Sequence, residues 1–185
     1  MTASAEIPAS NLRWLKGYYA LRALFSALWV ALAFTIGKTQ PALAAGLVIA
    51  YPAWDCLANY ADAKHSGGLR ANPPQMLNMI VSAVVTFAVA AALFHGFHAV
   101  IAVIGLWATL SGVLQLSAAL RRWARAGAQW PMILSGAQSA LAGAVFVKRA
   151  ADASTHLGIA DIAPYAAFGA VYFAISATML FFRRR

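Results

Sequence analysis

Charge is scarce in this sequence, and what there is carries mostly one sign. Only 10% of the 185 residues are charged, five of them acidic against fourteen basic, while 62% are hydrophobic and the mean hydropathy is +0.70. That balance excludes an ordinary soluble globular domain. Cysteine is nearly absent. The single Cys56 lies within an apolar run, so no intrachain disulfide can form and the redox compartment stays unread. HExxH, GxSxG and the P-loop are also missing, and with them the sequence grounds for a metalloprotease, a serine hydrolase or a nucleotide-binding enzyme. We expect no enzyme activity, no cofactor and no metal site. A net charge of +9 would suit a nucleic-acid partner, but the basic residues fall in the gaps between apolar runs and form no stripe or patch. We therefore expect a lipid bilayer as the partner and no nucleic acid.

What the chain has is apolar runs of membrane length. Residues 1–12 read as a disordered tail and 13–185 as one transmembrane domain, with spans at about 14–36, 42–61, 76–94, 99–120, 130–147 and 162–182. A basic start, an apolar run and Ala-Leu-Ala at 42–44 imitate a signal peptide. The run is longer than a secretory apolar region and holds Arg22, so it reads as an uncleaved helix. Six spans put ten cations on the side of both termini: Arg13, Lys16, Lys64, Arg70, Arg121, Arg122, Arg125 and Arg183 to Arg185. Only Lys38, Lys148 and Arg149 fall on the other side. By the positive-inside rule both termini are expected in the cytoplasm, with the chain multi-pass in a bacterial inner membrane.

The fold class expected is all-α, a six-transmembrane-helix bundle of three helical-hairpin repeats. The repeat rests on register: shifted by 59 residues, Gly46–Leu47 falls on Gly105–Leu106, Ala53 on Gly112 and Leu57 on Leu116. Ser135, Ser139 and Gly143 recur at every fourth residue, as do Gly136, Ala140 and Ala144, and Ala166, Ala170 and Ala174. Such small-residue rows let helix backbones approach within a bilayer or offer a face for a homo-oligomer. They make the fifth helix the expected most enclosed one.

The chemical signal lies in GLVIAYPAWDCLANYADA (46–63). Asp55 sits within an apolar run, with Asn59 and Asp62 following on the same helical face. A carboxylate at that depth is costly and turns towards a partner inside the bundle. Arg22 is the cation available. Counted at 1.5 Å per residue, both lie about 10–12 Å from their cytoplasmic helix ends. Pro52, three residues earlier, leaves the Val48 carbonyl without its helical donor. The pair reads either as a gate or proton-sensitive latch, or as a clamp fixing two helices. Asn59, Asn78, Gln115 and Gln138, with Tyr18 and Tyr51, are expected in the same cytoplasmic half of the bundle. They either line a small polar cavity or hydrogen-bond between helices. A wide channel is not expected, since no ring of like charge occurs. Three oxygen-bearing side chains at 55, 59 and 62 have spacing that a hard cation accepts. A CDP-alcohol phosphotransferase needs more aspartates and an intervening glycine, which are lacking. His95, His98 and His156 fall on the outer side, where histidine titrates first on acidification. They are candidate pH sensors or plain solvated turn residues.

GLWATLSGVLQLSAALRRW (105–123) followed by WPMILSGAQSALAGAVF (130–146) resembles the centre of the HdeD-like family of small bacterial acid-resistance membrane proteins: a Gly-rich helix ending in a basic turn, then Trp and a Gly-x6-Gly helix. The resemblance implies paired helices, six spans and a non-enzymatic inner-membrane protein tied to acid stress. The leading expectation is therefore a non-catalytic, stress-associated membrane protein. The alternative is a small transporter or channel subunit working through Arg22 and Asp55.

Overall fold

A computed structural model describes residues 9–126 and 130–182. Most of the tail expected to be disordered and the basic residues Arg183 to Arg185 lie outside the described residues. The described residues form six α-helices: α1 (Ala9–Phe34), α2 (Pro41–His65), α3 (Pro73–Ala92), α4 (Phe97–Ala126), α5 (Trp130–Ala150) and α6 (Ile159–Phe182). No strand occurs among the described residues. α1 begins at Ala9, inside the stretch expected to be disordered.

Breaks in the apolar pattern set the helix ends. Gln40 caps α2 and Pro41 opens it, a position where the missing N–H costs nothing. α2 stops at Gly67 and Gly68, whose φ of 98° and 96° favours glycine, and the Gly68 amide bonds back to the Ala63 carbonyl at 2.8 Å. The Asn72 side chain ties the connection by donating to the carbonyls of Ser66 and Gly68. Asp161 accepts the Gly158 amide at 2.8 Å as α6 starts, and its carboxylate also pairs with Arg149 at 2.7 Å.

α1, α2, α3, α4 and α6 are long and apolar enough to cross a membrane. α5 is 21 residues long and breaks its apolar run with Ser135, Gln138 and Ser139. Large apolar side chains face outward all round the bundle, among them Leu24 at 66% exposure, Phe87 at 77% and Leu141 at 68%. Such a surface suits lipid and not water. Together these features define a multi-pass membrane protein.

The closest partners are α1 with α6, α2 with α3, and α4 with α5. α1 meets α2, and α5 meets α6, along much shorter contacts. The intimate pairs are thus offset by one helix from hairpins 1–2, 3–4 and 5–6. Glycine spacing explains the tightest pair. Gly105 and Gly112 on α4 face Gly136 and Gly143 on α5. A Cβ added at Gly136 would lie 2.9 Å from the Gly112 carbonyl oxygen and 2.9 Å from the Leu116 amide nitrogen. Backbone therefore rests on backbone, the contact that drives association in lipid.

α4, and not α5, is the most enclosed helix. Val100, Ile101, Ile104, Trp107 and Ala108 are all buried, whereas α5 leaves Leu134, Leu141 and Val145 exposed. The small residues of α5 mark one close face and not enclosure on all sides.

The apolar core occupies one half of the bundle. Trp29 from the end of α1, Val48 from the start of α2, Val89 from the end of α3, Ile101 and Ile104 from the start of α4, Phe146 from the end of α5 and Ile162 from the start of α6 pack there. The indole of Trp29 donates to the Leu47 carbonyl at 2.7 Å inside it. This half adjoins the connections at 35–40, 93–96 and 151–158. The opposite half is packed differently.

Candidate functional site

On the side of residues 66–72 the six helices draw apart around a cavity of about 720 Å³. That volume falls within the range of about 300–1,000 Å³ usual for small-molecule sites. Ser26, Tyr51, Trp107 and Tyr165 form its inner end against the core, and Asp62, Pro73, Pro74 and Gln75 mark its mouth near the α2–α3 connection. Every helix contributes a polar group: Tyr18 from α1, Asn59 from α2, Asn78 from α3, Ser111 from α4, Ser139 from α5 and Tyr172 from α6.

Arg22 and Asp55 stand together in its wall, their side chains 14% and 19% exposed. Arg22 Nη2 donates to Asp55 Oδ1, and Nη1 donates to the Tyr18 hydroxyl at 2.8 Å, one turn nearer the helix start. The guanidinium also lies over the Phe173 ring of α6, 4.2 Å from its centroid, a cation–π contact. Asp55 Oδ2 accepts two bonds, from the Asn59 amide at 3.0 Å and from the Ser82 hydroxyl at 2.8 Å. Ser82 in turn accepts the Trp107 indole N–H at 3.2 Å. One carboxylate therefore joins α1, α2, α3 and, through Ser82, α4. Both of its oxygens are engaged and its charge is matched, the condition under which a buried charge is tolerated.

Pro52 is buried, and α2 runs on through it as one helix. Nearer the mouth Asp62 accepts from the Gln75 amide at 3.3 Å, so Asp62 stands a level away from the pair. On the far wall the Tyr172 hydroxyl donates to Gln138 Oε1 at 2.9 Å, and Ser139 Oγ lies 3.0 Å from the Tyr165 hydroxyl while donating to the Ala108 carbonyl. Tyr51 packs against Trp29, 5.0 Å between centroids, and meets Trp107 edge-on at 5.8 Å. The structure thus brings Arg22, Asp55 and Asn59 into direct contact. Asn78, Gln115 and Gln138 line the same cavity.

Trp107, Tyr165 and Tyr172 carry no sequence signal that singles them out. Ser82 alone had one in its depth. Asp55 lies ten residues before the end of α2 and Ser82 nine after the start of α3, so a short connection sets them level.

His95 and His156 are exposed in separate connections, and His98 is half-buried with an Nε2 that has no hydrogen-bond partner. In the 151–158 connection, Asp152 is held below the usual carboxylate range by bonds from the hydroxyl and the amide of Ser154. Among the described residues no group of three or more His, Cys, Asp or Glu side chains is placed to hold a metal ion.

A family model described as a short repeat of unknown function (DUF308) matches residues 78–148, from early α3 through α4 to near the end of α5. No curated protein and no solved structure matches the chain.

Proposed function

We propose that this chain is a non-catalytic protein of the bacterial inner membrane, HdeD-like and associated with acid stress, whose cavity receives a small solute from the cytoplasm. α5 serves as the sixth span, and the 66–72 side faces the cytoplasm. Ten cations against three support that orientation. The matched repeat overlaps both segments on which the HdeD-like resemblance rests.

The cavity is the observation that carries this reading. A bundle needing only mechanical stability gains nothing from a polar space of about 720 Å³. Its lining selects the solute. Arg22 and Asp55 cancel, Asp62 adds one carboxylate at the mouth, and the remaining polar groups are mostly hydroxyls and amides set among aromatic rings. That suits a neutral or zwitterionic hydrogen-bonding molecule. The packed core closes the opposite end, which supports reading this as the inward-facing form of a carrier.

Purified protein in liposomes should accelerate efflux of at least one of glycerol, glucose and glycine over protein-free vesicles. Asp55→Asn should slow that flux at least tenfold, because a neutral amide no longer holds Arg22. The fixed set of partners around Asp55 favours a second reading, a static bundle. Efflux no faster than from protein-free vesicles for all three solutes would establish it in place of the first.

A further inference from the structure

A second space lies on the outside of the bundle, where α1 and α2 barely touch. It is a crevice of about 420 Å³, and its apolar middle is lined by Gly17, Leu21, Leu57 and Ala61. Leu21 and Leu57 are 53% and 61% exposed, so the crevice opens sideways towards the lipid.

Its polar atoms are unusual. Trp14 Nε1, Trp54 Nε1 and Arg22 Nε are buried N–H groups without an acceptor, and all three residues line this one crevice. A buried donor left unmade costs free energy, and three of them on residues that line one crevice point to an acceptor-bearing ligand.

The donors stand at two depths. Arg13 and Trp14 mark the end at the membrane surface, where Arg13 is exposed and brings positive charge. Arg22 and Trp54 mark the inner end. Nine residues separate Arg13 from Arg22, ~13 Å of helix rise, but Arg22 reaches back a turn to bond Tyr18, which shortens the gap.

We propose that the α1–α2 crevice binds one acidic phospholipid from the leaflet on the 66–72 side. The phosphate takes Arg13 and the Trp14 indole. The ester carbonyls, a few ångströms deeper in any diacyl lipid, take the Arg22 and Trp54 donors, and an acyl chain fills the apolar middle. A molecule with acceptors at a single depth, such as inorganic phosphate or a fatty acid, leaves one tier of donors unpaired. The site is separate from the solute cavity, although Tyr18, Arg22 and Trp54 form the wall between them.

Native mass spectrometry of the detergent-purified protein titrated with phosphatidylglycerol, phosphatidylcholine or inorganic phosphate tests it. The wild type should retain one phosphatidylglycerol per chain, hold phosphatidylcholine at least tenfold more weakly, and not exchange the lipid for phosphate. A Cβ at Gly17 meets nothing within 4 Å, so Gly17→Leu should fill the crevice, leave the fold intact and weaken phosphatidylglycerol at least tenfold. Leu57→Trp should act likewise from the other wall. Arg13→Gln should remove the preference for the acidic head and retain weak binding. Equal affinity for the two lipids in the wild type, or unchanged lipid retention in folded Gly17→Leu and Leu57→Trp, would overturn the proposal.

Discussion

Asp55→Ala and Arg22→Ala should each destabilise the bundle by about 3–5 kcal/mol, the cost of leaving a buried ion without its partner. The double variant should recover part of that loss. The two failures differ in kind. Without Arg22, Asp55 still accepts from Asn59 and Ser82, so the remaining anion keeps two donors. Without Asp55, Arg22 keeps the Tyr18 hydroxyl and the face of Phe173, while Asn59 and Ser82 lose an acceptor. Asp55→Ala should therefore be the more damaging of the two. A double-mutant cycle on unfolding in detergent measures the coupling, which should be on the order of 1–3 kcal/mol for groups in direct contact. Strict additivity would mean that the two charges do not stabilise one another.

A comparable loss should follow from Gly143→Val. The added carbons would run into Thr109 Oγ1 and the Gly105 carbonyl of α4. Backbone cannot yield as a long side chain does, so α4 and α5 must separate along a face held by close contact. Overpacking ordinarily costs about 1–3 kcal/mol, and a clash against main chain belongs at or above the top of that range. Gly112→Val should behave alike, since its Cβ would overlap Ala140 and the Gly136 carbonyl. Gly46→Ala is the matched control. Nothing lies within 4 Å of its Cβ, so it should be neutral or gain up to about 1 kcal/mol from helix propensity. Thermal unfolding in one detergent reads all three. Equal midpoints for Gly143→Val and Gly46→Ala would contradict the α4–α5 contact.

These two sites differ in how far the sequence reveals them. Arg22 and Asp55 are ions in apolar runs, and counting residues from the helix ends sets them level, where the structure has them paired. Gly-x6-Gly in α4 and again in α5 announces a close contact. It does not say which helix is enclosed, because a row of small residues describes one face only. Helix partners are less legible still. α1 packs on α6 through matching shapes at opposite ends of the sequence, and no local pattern records that choice. The cavity is the least legible feature. It is the space six helices leave between them, and the hydroxyls of Ser82, Tyr165 and Tyr172 look like ordinary interruptions of apolar helices until their neighbours are known. Asn59, Asn78, Gln115 and Gln138 are readable as polar groups in the cytoplasmic half of their spans. Their two meanings, a cavity lining or links between helices, separate only in three dimensions: Asn59 bonds Asp55, Gln138 accepts from Tyr172, and all four face the same space.

Thiol accessibility tests the central claim, a polar chamber open on the 66–72 side alone, most directly. In a Cys56→Ser background, Ser111→Cys and Ser139→Cys place thiols in the chamber wall, and Ile104→Cys places one in the core. A charged, membrane-impermeant thiol reagent is applied to vesicles of known sidedness. Cysteines at 111 and 139 should react from the cytoplasmic face and stay protected from the other, while the cysteine at 104 stays unmodified from both. Protection of 111 and 139 from both faces, or reaction from the opposite face, would contradict the account.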